Sequence, residues 1–230
     1  EIGFSSSGYV STSNVQELES ETIPFTDFCN KVIGMNAPNK TDPLFLHFRI
    51  KSSNPKILEH MANAFIASGL KEKLYKGKLS GETKLKELQN RIIVLVDKTY
   101  VPNIETNACS GNCEADIRPM ISMYTATDVF PSMKIQHKVV QDPRPLAKNS
   151  DDETTNVGKI QMVTHDFGTL YESQNRNDFK ELVMNHKVQI VPYKFYYRDD
   201  ALTDYKNFFA DNGKRAFIRM AVAHDALLHS

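Results

Sequence analysis

Apolar and polar positions along this chain switch repeatedly between a helical and a strand period. The opening stretch to about Glu21 is rich in Ser, Thr and Gly and predicts a strand stub followed by a loop. From Ile23 to Ile33, the residues Phe25, Phe28, Cys29, Val32 and Ile33 recur at spacings of three and four, which predicts a short amphipathic helix with Thr26 as its cap. Asp42-Pro43 marks a turn, and Leu44 to Ile50 is an apolar run of strand length interrupted by His47 and Arg49. Ser53-Asn54-Pro55 is a strong helix start, and Ile57, Leu58, Met61, Ala62, Ala64, Phe65 and Leu70 carry an apolar face to about Leu74.

Arg91 to Asp97 is an almost continuous β-branched run, the pattern of a strand buried on both faces of a parallel sheet. Further strands are predicted at Lys159–Thr164, Val188–Phe195 and Ala216–Met220, with helices at about Arg176–Asn185 and Leu202–Phe209 between them. Parallel neighbours need crossover helices, so repeated βα units predict an α/β sheet or a (β/α) TIM-barrel-like fold. No Gly-rich phosphate fingerprint follows any strand, which argues against a dinucleotide or P-loop fold and leaves the barrel as the expectation. Residues 1–230 are expected to form one domain, interrupted by irregular insertions at about 102–118 and 136–158.

Composition narrows the partners more than the fold. Twenty-eight Lys and Arg balance 28 Asp and Glu for a net charge of zero, so the sequence-independent pull towards nucleic acid is missing and no nucleic-acid partner is expected. No apolar run approaches the roughly 20 residues of a membrane-spanning helix. Three cysteines, Cys29, Cys109 and Cys113, are too few for a disulfide framework and point to a reducing compartment. The Cys109/Cys113 pair in its Gly/Asn loop reads as two thiols or a local disulfide; half a zinc site is the lesser reading, with no second ligand pair in sight. Asn39-Lys40-Thr41 matches a glycosylation triplet that nothing else supports. The first residue is Glu1, which reads as a processed chain or an excerpt of a longer one.

In a barrel, chemistry sits at the carboxyl ends of the strands. The positions to inspect are therefore His47, Arg49 and Lys51; Asp97 and Lys98; Thr164, His165 and Asp166; Tyr196, Tyr197 and Arg198; and Arg219. His165-Asp166 is the nearest thing to an acid/base pair, although adjacent strand residues point in different directions. A histidine such as His47 on a strand is more often a hydrogen-bonded interior residue than a ligand. Asp97-Lys98 reads equally as a turn with an ion pair and as a site, and Phe195-Tyr196-Tyr197 first as packing.

The order and text of these segments resemble the catalytic barrel of phosphoinositide-specific phospholipase C. The likeness is carried by Asp42-Pro-Leu-Phe-Leu-His-Phe-Arg-Ile-Lys-Ser52, by a helix ending in Leu-Lys-Glu-Lys-Leu74, and by Leu85-Lys-Glu-Leu-Gln-Asn-Arg-Ile-Ile-Val-Leu-Val-Asp-Lys98. Lys159 to Phe167 and Asn212 to Met220 are similar to the family's second half. The flavour is closest to the phospholipase C-like barrel proteins of large DNA viruses. The family uses two histidines for acid/base work and a calcium ion held by carboxylates. Here the strand that should end in a calcium-binding glutamate ends in Arg49, Ser5-Ser-Ser7 stands where a histidine is expected, and of the substrate lysines only Lys98 matches. The first histidine and the paired carboxylates would precede Glu1, so the barrel is expected to lack its first strands in this chain.

What the resemblance implies is a degenerate phospholipase C-like barrel acting as a structural or interaction protein, intracellular or virion-associated, with protein partners and no cofactor. A phosphoinositide or membrane surface is the second class of partner. The alternative is an active phosphoric diester hydrolase whose missing residues lie upstream; His47, His165 and Asp166 would then be catalytic, Arg49 and Lys98 would bind phosphate, and calcium would be the cofactor. An unrelated α/β binding module is the third reading.

Overall fold

A computed structural model of the chain describes residues 3–4, 10–11, 23–34, 42–50, 52, 54, 56–80, 83–98, 101–107, 115–125, 132–135, 162–165, 175, 179–186, 188–191, 193–195 and 197–229. Internal contacts divide the chain into two compact units, Glu1–Ala126 and Thr127–Ser230.

The first unit opens with β1 (Gly3–Phe4) and β2 (Val10–Ser11), an antiparallel pair within the predicted stub. The first helix, α1 (Phe25–Gly34), is launched by Pro24, whose carbonyl accepts from the backbone N–H groups of Asp27 at 3.0 Å and Phe28 at 3.2 Å. Thr26, the expected cap, therefore lies inside the first turn, and Asp27 there complements the positive end of the helix. Next come β3 (Leu44–Phe48) and α2 (Lys56–Ala67), the latter with the Asn54 Oδ1 accepting from the Lys56 N–H at 3.0 Å. The helix expected to reach Leu74 breaks at Gly69, whose φ of 76° lies in the left-handed region, and restarts as α3 (Leu70–Lys73). The Ser68 hydroxyl donates to the Ala64 carbonyl at 2.7 Å at the break.

A short α4 (Leu85–Leu88) precedes β4 (Ile92–Asp97). The expected insertion at 102–118 is partly regular: it holds α5 (Ile104–Asn107) and leads into a 3₁₀ turn at Arg118–Met120 and then β5 (Met123–Thr125). Strands order as β3-β4-β5, all parallel, with His47 opposite Leu95, Phe48 opposite Val96 and Asp97 opposite Thr125. All six residues of β4 are buried, as its unbroken β-branched run predicts.

The two faces of this sheet differ. Phe48, Val94 and Val96 pack on α1 and α2 through Phe25, Cys29, Met61 and Phe65, with the Phe48 and Phe65 rings 5.9 Å apart. Ile93 and Leu95 point the other way, onto Leu88, Phe45, Tyr75, Leu79 and Met123. A strap from Leu74 to Leu79 closes the amino end: Tyr75 donates to the Ile92 carbonyl and Leu79 to the Ser122 carbonyl, each at 2.9 Å. Lys78 Nζ donates to the Ile121 carbonyl at 2.6 Å.

In the second unit, β6 (Ser132–Ile135) runs parallel to β7 (Met162–His165). Around Val163 gather Leu182 and Val183 of α6 (Phe179–His186), Val188, Val191 and Leu227. An aromatic group joins α6 to α7 (Asp200–Asp211), the Phe179 ring lying 5.2 Å from Tyr205 and 5.1 Å from Phe208. The helices predicted at 176–185 and 202–209 are thus present with shifted ends.

Two predicted strands are not. Among the described residues of Val188–Phe195 there is a single bridge, Ile190 to Met162; proline at 192 has no N–H to offer a ladder, and the Tyr197 N–H donates to the Lys194 carbonyl at 3.0 Å. Ala216–Met220 is irregular to Arg219, and Met220 begins α8 (Met220–Leu228). The alanines at 221, 223 and 226 favour helix, and the buried Ala223 and Leu227 lie four apart on one of its faces.

The result is a mixed α/β architecture with a three-stranded parallel sheet and, in the second unit, a two-stranded one; closure into a barrel is not shown among the described residues. The insertion at 136–158, the thiols Cys109 and Cys113, the Asn39 triplet and Ser5-Ser-Ser7 lie outside the described residues.

Candidate functional site

Period-2 alternation and the parallel register together assemble a polar group at the carboxyl edge of the first unit's sheet. His47, Leu95 and Met123 share one face, and one step further along the same face stand Arg49, Asp97 and Thr125. Below them the face is apolar, so the polarity is confined to the strand ends. Asp97 and Thr125 are completely buried. Arg49 Nε stands 3.8 Å from Asp97 Oδ2, an ion pair longer than a hydrogen bond, with the Arg49 side chain only 12% exposed. His47 Nε2 lies 2.8 Å from Thr125 Oγ1.

Burial is the main influence on the His47 imidazole and disfavours its charged form; Asp97 partly opposes this, Arg49 reinforces it, and the group is held down at about 4. At neutral pH the imidazole is therefore uncharged. A neutral imidazole, a neutral hydroxyl and a matched ion pair make a cluster with no net charge. Such a cluster is poorly suited to donating a proton at neutral pH.

The other predicted phosphate-binding residue, Lys98, turns to the opposite face. Its Nζ donates to Glu105 Oε2 at 2.8 Å and lies 4.8 Å from the Tyr124 ring centre, while its backbone N–H donates to the Thr125 carbonyl at 3.1 Å. Arg118 binds Asp116 through Nε at 2.9 Å and donates from Nη1 to the Glu105 carbonyl at 3.0 Å. Desolvation chiefly, with the nearby Glu105 carboxylate, pushes the Tyr124 phenol above its ordinary range. Both predicted phosphate contacts, Arg49 and Lys98, therefore face carboxylates.

Of the remaining candidates, His165 ends β7 in the second unit, with its side chain outside the described residues, as are Asp166 and Tyr196. Arg198 is exposed, and Arg219 immediately precedes α8. The sequence reading missed Thr125, because a three-residue strand gives too short a pattern to register. It also missed the polar knot around Asn175 and Asp199. Asn175 accepts from the Lys194 N–H at 2.6 Å and donates from Nδ2 to the Lys194 and Tyr197 carbonyls at 3.2 and 3.0 Å. Asp199 caps α7 by accepting from the Leu202 N–H at 2.9 Å and takes the Asn175 N–H at 2.7 Å. Burial raises the Asp199 carboxyl, but these hydrogen bonds outweigh it and leave the group below its usual range. The Asp199-Asp200 pair ahead of the helical pattern was the available signal.

No group of three or more His, Cys, Asp or Glu side chains placed to hold a metal ion occurs among the described residues. No described helix is long and apolar enough to cross a membrane. No protein family matches the sequence, and no curated protein does.

Proposed function

We propose that this chain is a catalytically degenerate, phospholipase C-like α/β barrel protein that serves as a structural or interaction component, virion-associated, with proteins as its partners. The reading starts from the sequence likeness. It is supported by a sheet that is apolar and strapped at its amino end and polar at its carboxyl end, the polarity that barrel enzymes use.

The observation that carries the degenerate half of the reading is the Arg49–Asp97 pair. Where the resemblance calls for a carboxylate to grip calcium, a guanidinium sits beside the buried carboxylate. A divalent cation at Asp97 would have to displace the Arg49 guanidinium, and calcium prefers six to eight oxygen ligands. His47, held neutral, adds no acid at working pH.

The test is a turnover assay on phosphatidylinositol vesicles with millimolar calcium and, separately, with a chelator. The reading expects no cleavage above that of heat-denatured protein in either condition. Cleavage lost in His47→Ala or His165→Ala would establish the phosphodiesterase alternative instead.

A further inference from the structure

We propose that the amino end of the first unit's sheet is a docking face for anionic phospholipid. The zero net charge of the whole chain conceals a local excess: residues 71–91 hold seven Lys and Arg against three Glu. Lys78 is turned onto the Ile121 carbonyl. The other six, Lys71, Lys73, Lys76, Lys84, Lys86 and Arg91, are all exposed, and none of their side chains has an ion-pair or hydrogen-bond partner among the described residues. Elsewhere in the same unit cations are matched, as at Lys98–Glu105 and Arg118–Asp116.

The fold gathers these six onto one surface. Leu74 makes a parallel bridge to Ile92, the first residue of β4, and the Tyr75 N–H donates to the Ile92 carbonyl at 2.9 Å. Residues 73 and 76 therefore run alongside Arg91, which precedes that strand. Leu70 and Leu74 anchor the α3 segment in the core, and Leu88 anchors α4 against Tyr75 and Leu79, so Lys71, Lys84 and Lys86 stand on elements fixed to the same end of the sheet. Between Lys84 and Lys86, Leu85 is 44% exposed.

The make-up of the face selects its partner. Single-stranded nucleic acid is held by aromatic side chains on which bases stack, whereas the aromatic residue here, Tyr75, is half-buried and packed inward on Leu88 and Ile93. Protein interfaces are enriched in Arg and aromatic residues and depleted in Lys, and five of these six cations are Lys. Lysines flanking an exposed leucine suit the boundary of an anionic bilayer, where ammonium groups meet the headgroup charges and the apolar side chain enters the acyl region. Arg49, Asp97 and His47 lie at the opposite end of the sheet, so lipid contact here is independent of any phospholipase chemistry.

The experiment is co-sedimentation of the intact chain with vesicles of phosphatidylcholine alone and of phosphatidylcholine containing about one-third phosphatidylserine, at low and at raised salt. The wild type should bind the mixed vesicles only, and more weakly as salt rises. Each cation near an anionic surface strengthens binding about fivefold, so Lys84→Gln/Lys86→Gln should weaken it about 30-fold. Lys56→Gln, at the start of α2 past the carboxyl end of β3, should change it less than about twofold. Leu85→Ser should weaken binding about fivefold and leave its salt dependence unchanged. Equal binding to both vesicle types, binding to neither, or a double variant that binds as the wild type does would overturn the proposal. Retention of the chain by duplex DNA or by a polyglutamate peptide at a salt concentration where the mixed vesicles release it would overturn it as well. None of these readouts involves phosphatidylinositol cleavage.

Discussion

Replacing Arg49 by Met removes the guanidinium while keeping most of the side chain's length, and it isolates what the cation does for Asp97. At 3.8 Å the Coulomb attraction of two unit charges is about 4 kcal/mol for an effective dielectric of about 20. Asp97 is fully buried and cannot recover that energy from water, so losing the partner falls in the class of broken buried pairs, which cost about 3–5 kcal/mol. The pair is longer than a hydrogen bond, and Asp97 has further polar interactions, which sets the expectation at the lower end, about 3 kcal/mol. Urea unfolding followed by far-UV circular dichroism measures it, the chain having no tryptophan. The double variant Arg49→Met/Asp97→Asn should recover to within about 1 kcal/mol of the wild type, since exchanging a whole buried pair for neutral groups is often close to neutral. A single variant as stable as the wild type, or a double variant no better than the single, would refute the electrostatic reading.

Other expectations follow from the same packing. Ile93→Ala, in the completely buried centre of β4, should destabilise the first unit by about 2–5 kcal/mol in the same urea assay. Gly69→Ala meets no atom within 4 Å, so its penalty is that of the left-handed backbone alone, about 1–2 kcal/mol, read as a lowered melting temperature. Glu105→Gln breaks an ion pair whose carboxylate side is 57% exposed, and should change stability by less than about 0.5 kcal/mol, with the difference vanishing at high salt. Asp199→Ala should lower the melting temperature of the second unit and speed hydrogen exchange at the start of α7, while Asp199→Asn, which retains an acceptor for the cap, should restore most of both.

How much of this was legible in the sequence depended on whether a feature is local. The run Ile92–Asp97 declares itself because six consecutive buried positions leave no polar face, and the helices at 25–34, 56–67 and 200–211 carry their periodicity within a few turns. The strand predicted at 188–195 failed because its apolar residues are arranged by contacts from elsewhere. Val188 and Val191 fill the core beside Leu182, while Asn175, 19 residues earlier, holds Lys194 in a turn. The stretch at 216–220 forms no strand because the alanine-rich helix that follows already begins at Met220.

The candidate site was half legible. His47, Arg49, Asp97 and Lys98 were all visible as strand-end residues, but which of them meet is fixed by the register of β3 on β4, 48 residues apart, and no local pattern encodes that. The register puts Arg49 with Asp97 and sends Lys98 to Glu105 on the other face. Thr125, the partner of His47, belongs to a strand too short to be recognised by alternation.

Calcium binding to the intact chain, measured by isothermal titration calorimetry at neutral pH, bears most directly on the idea that Arg49 stands, beside Asp97, where a calcium-gripping carboxylate would be needed. The account predicts no saturable heat up to millimolar calcium, in the wild type and in Asp97→Asn alike. Saturable binding in the wild type that disappears in Asp97→Asn would contradict it.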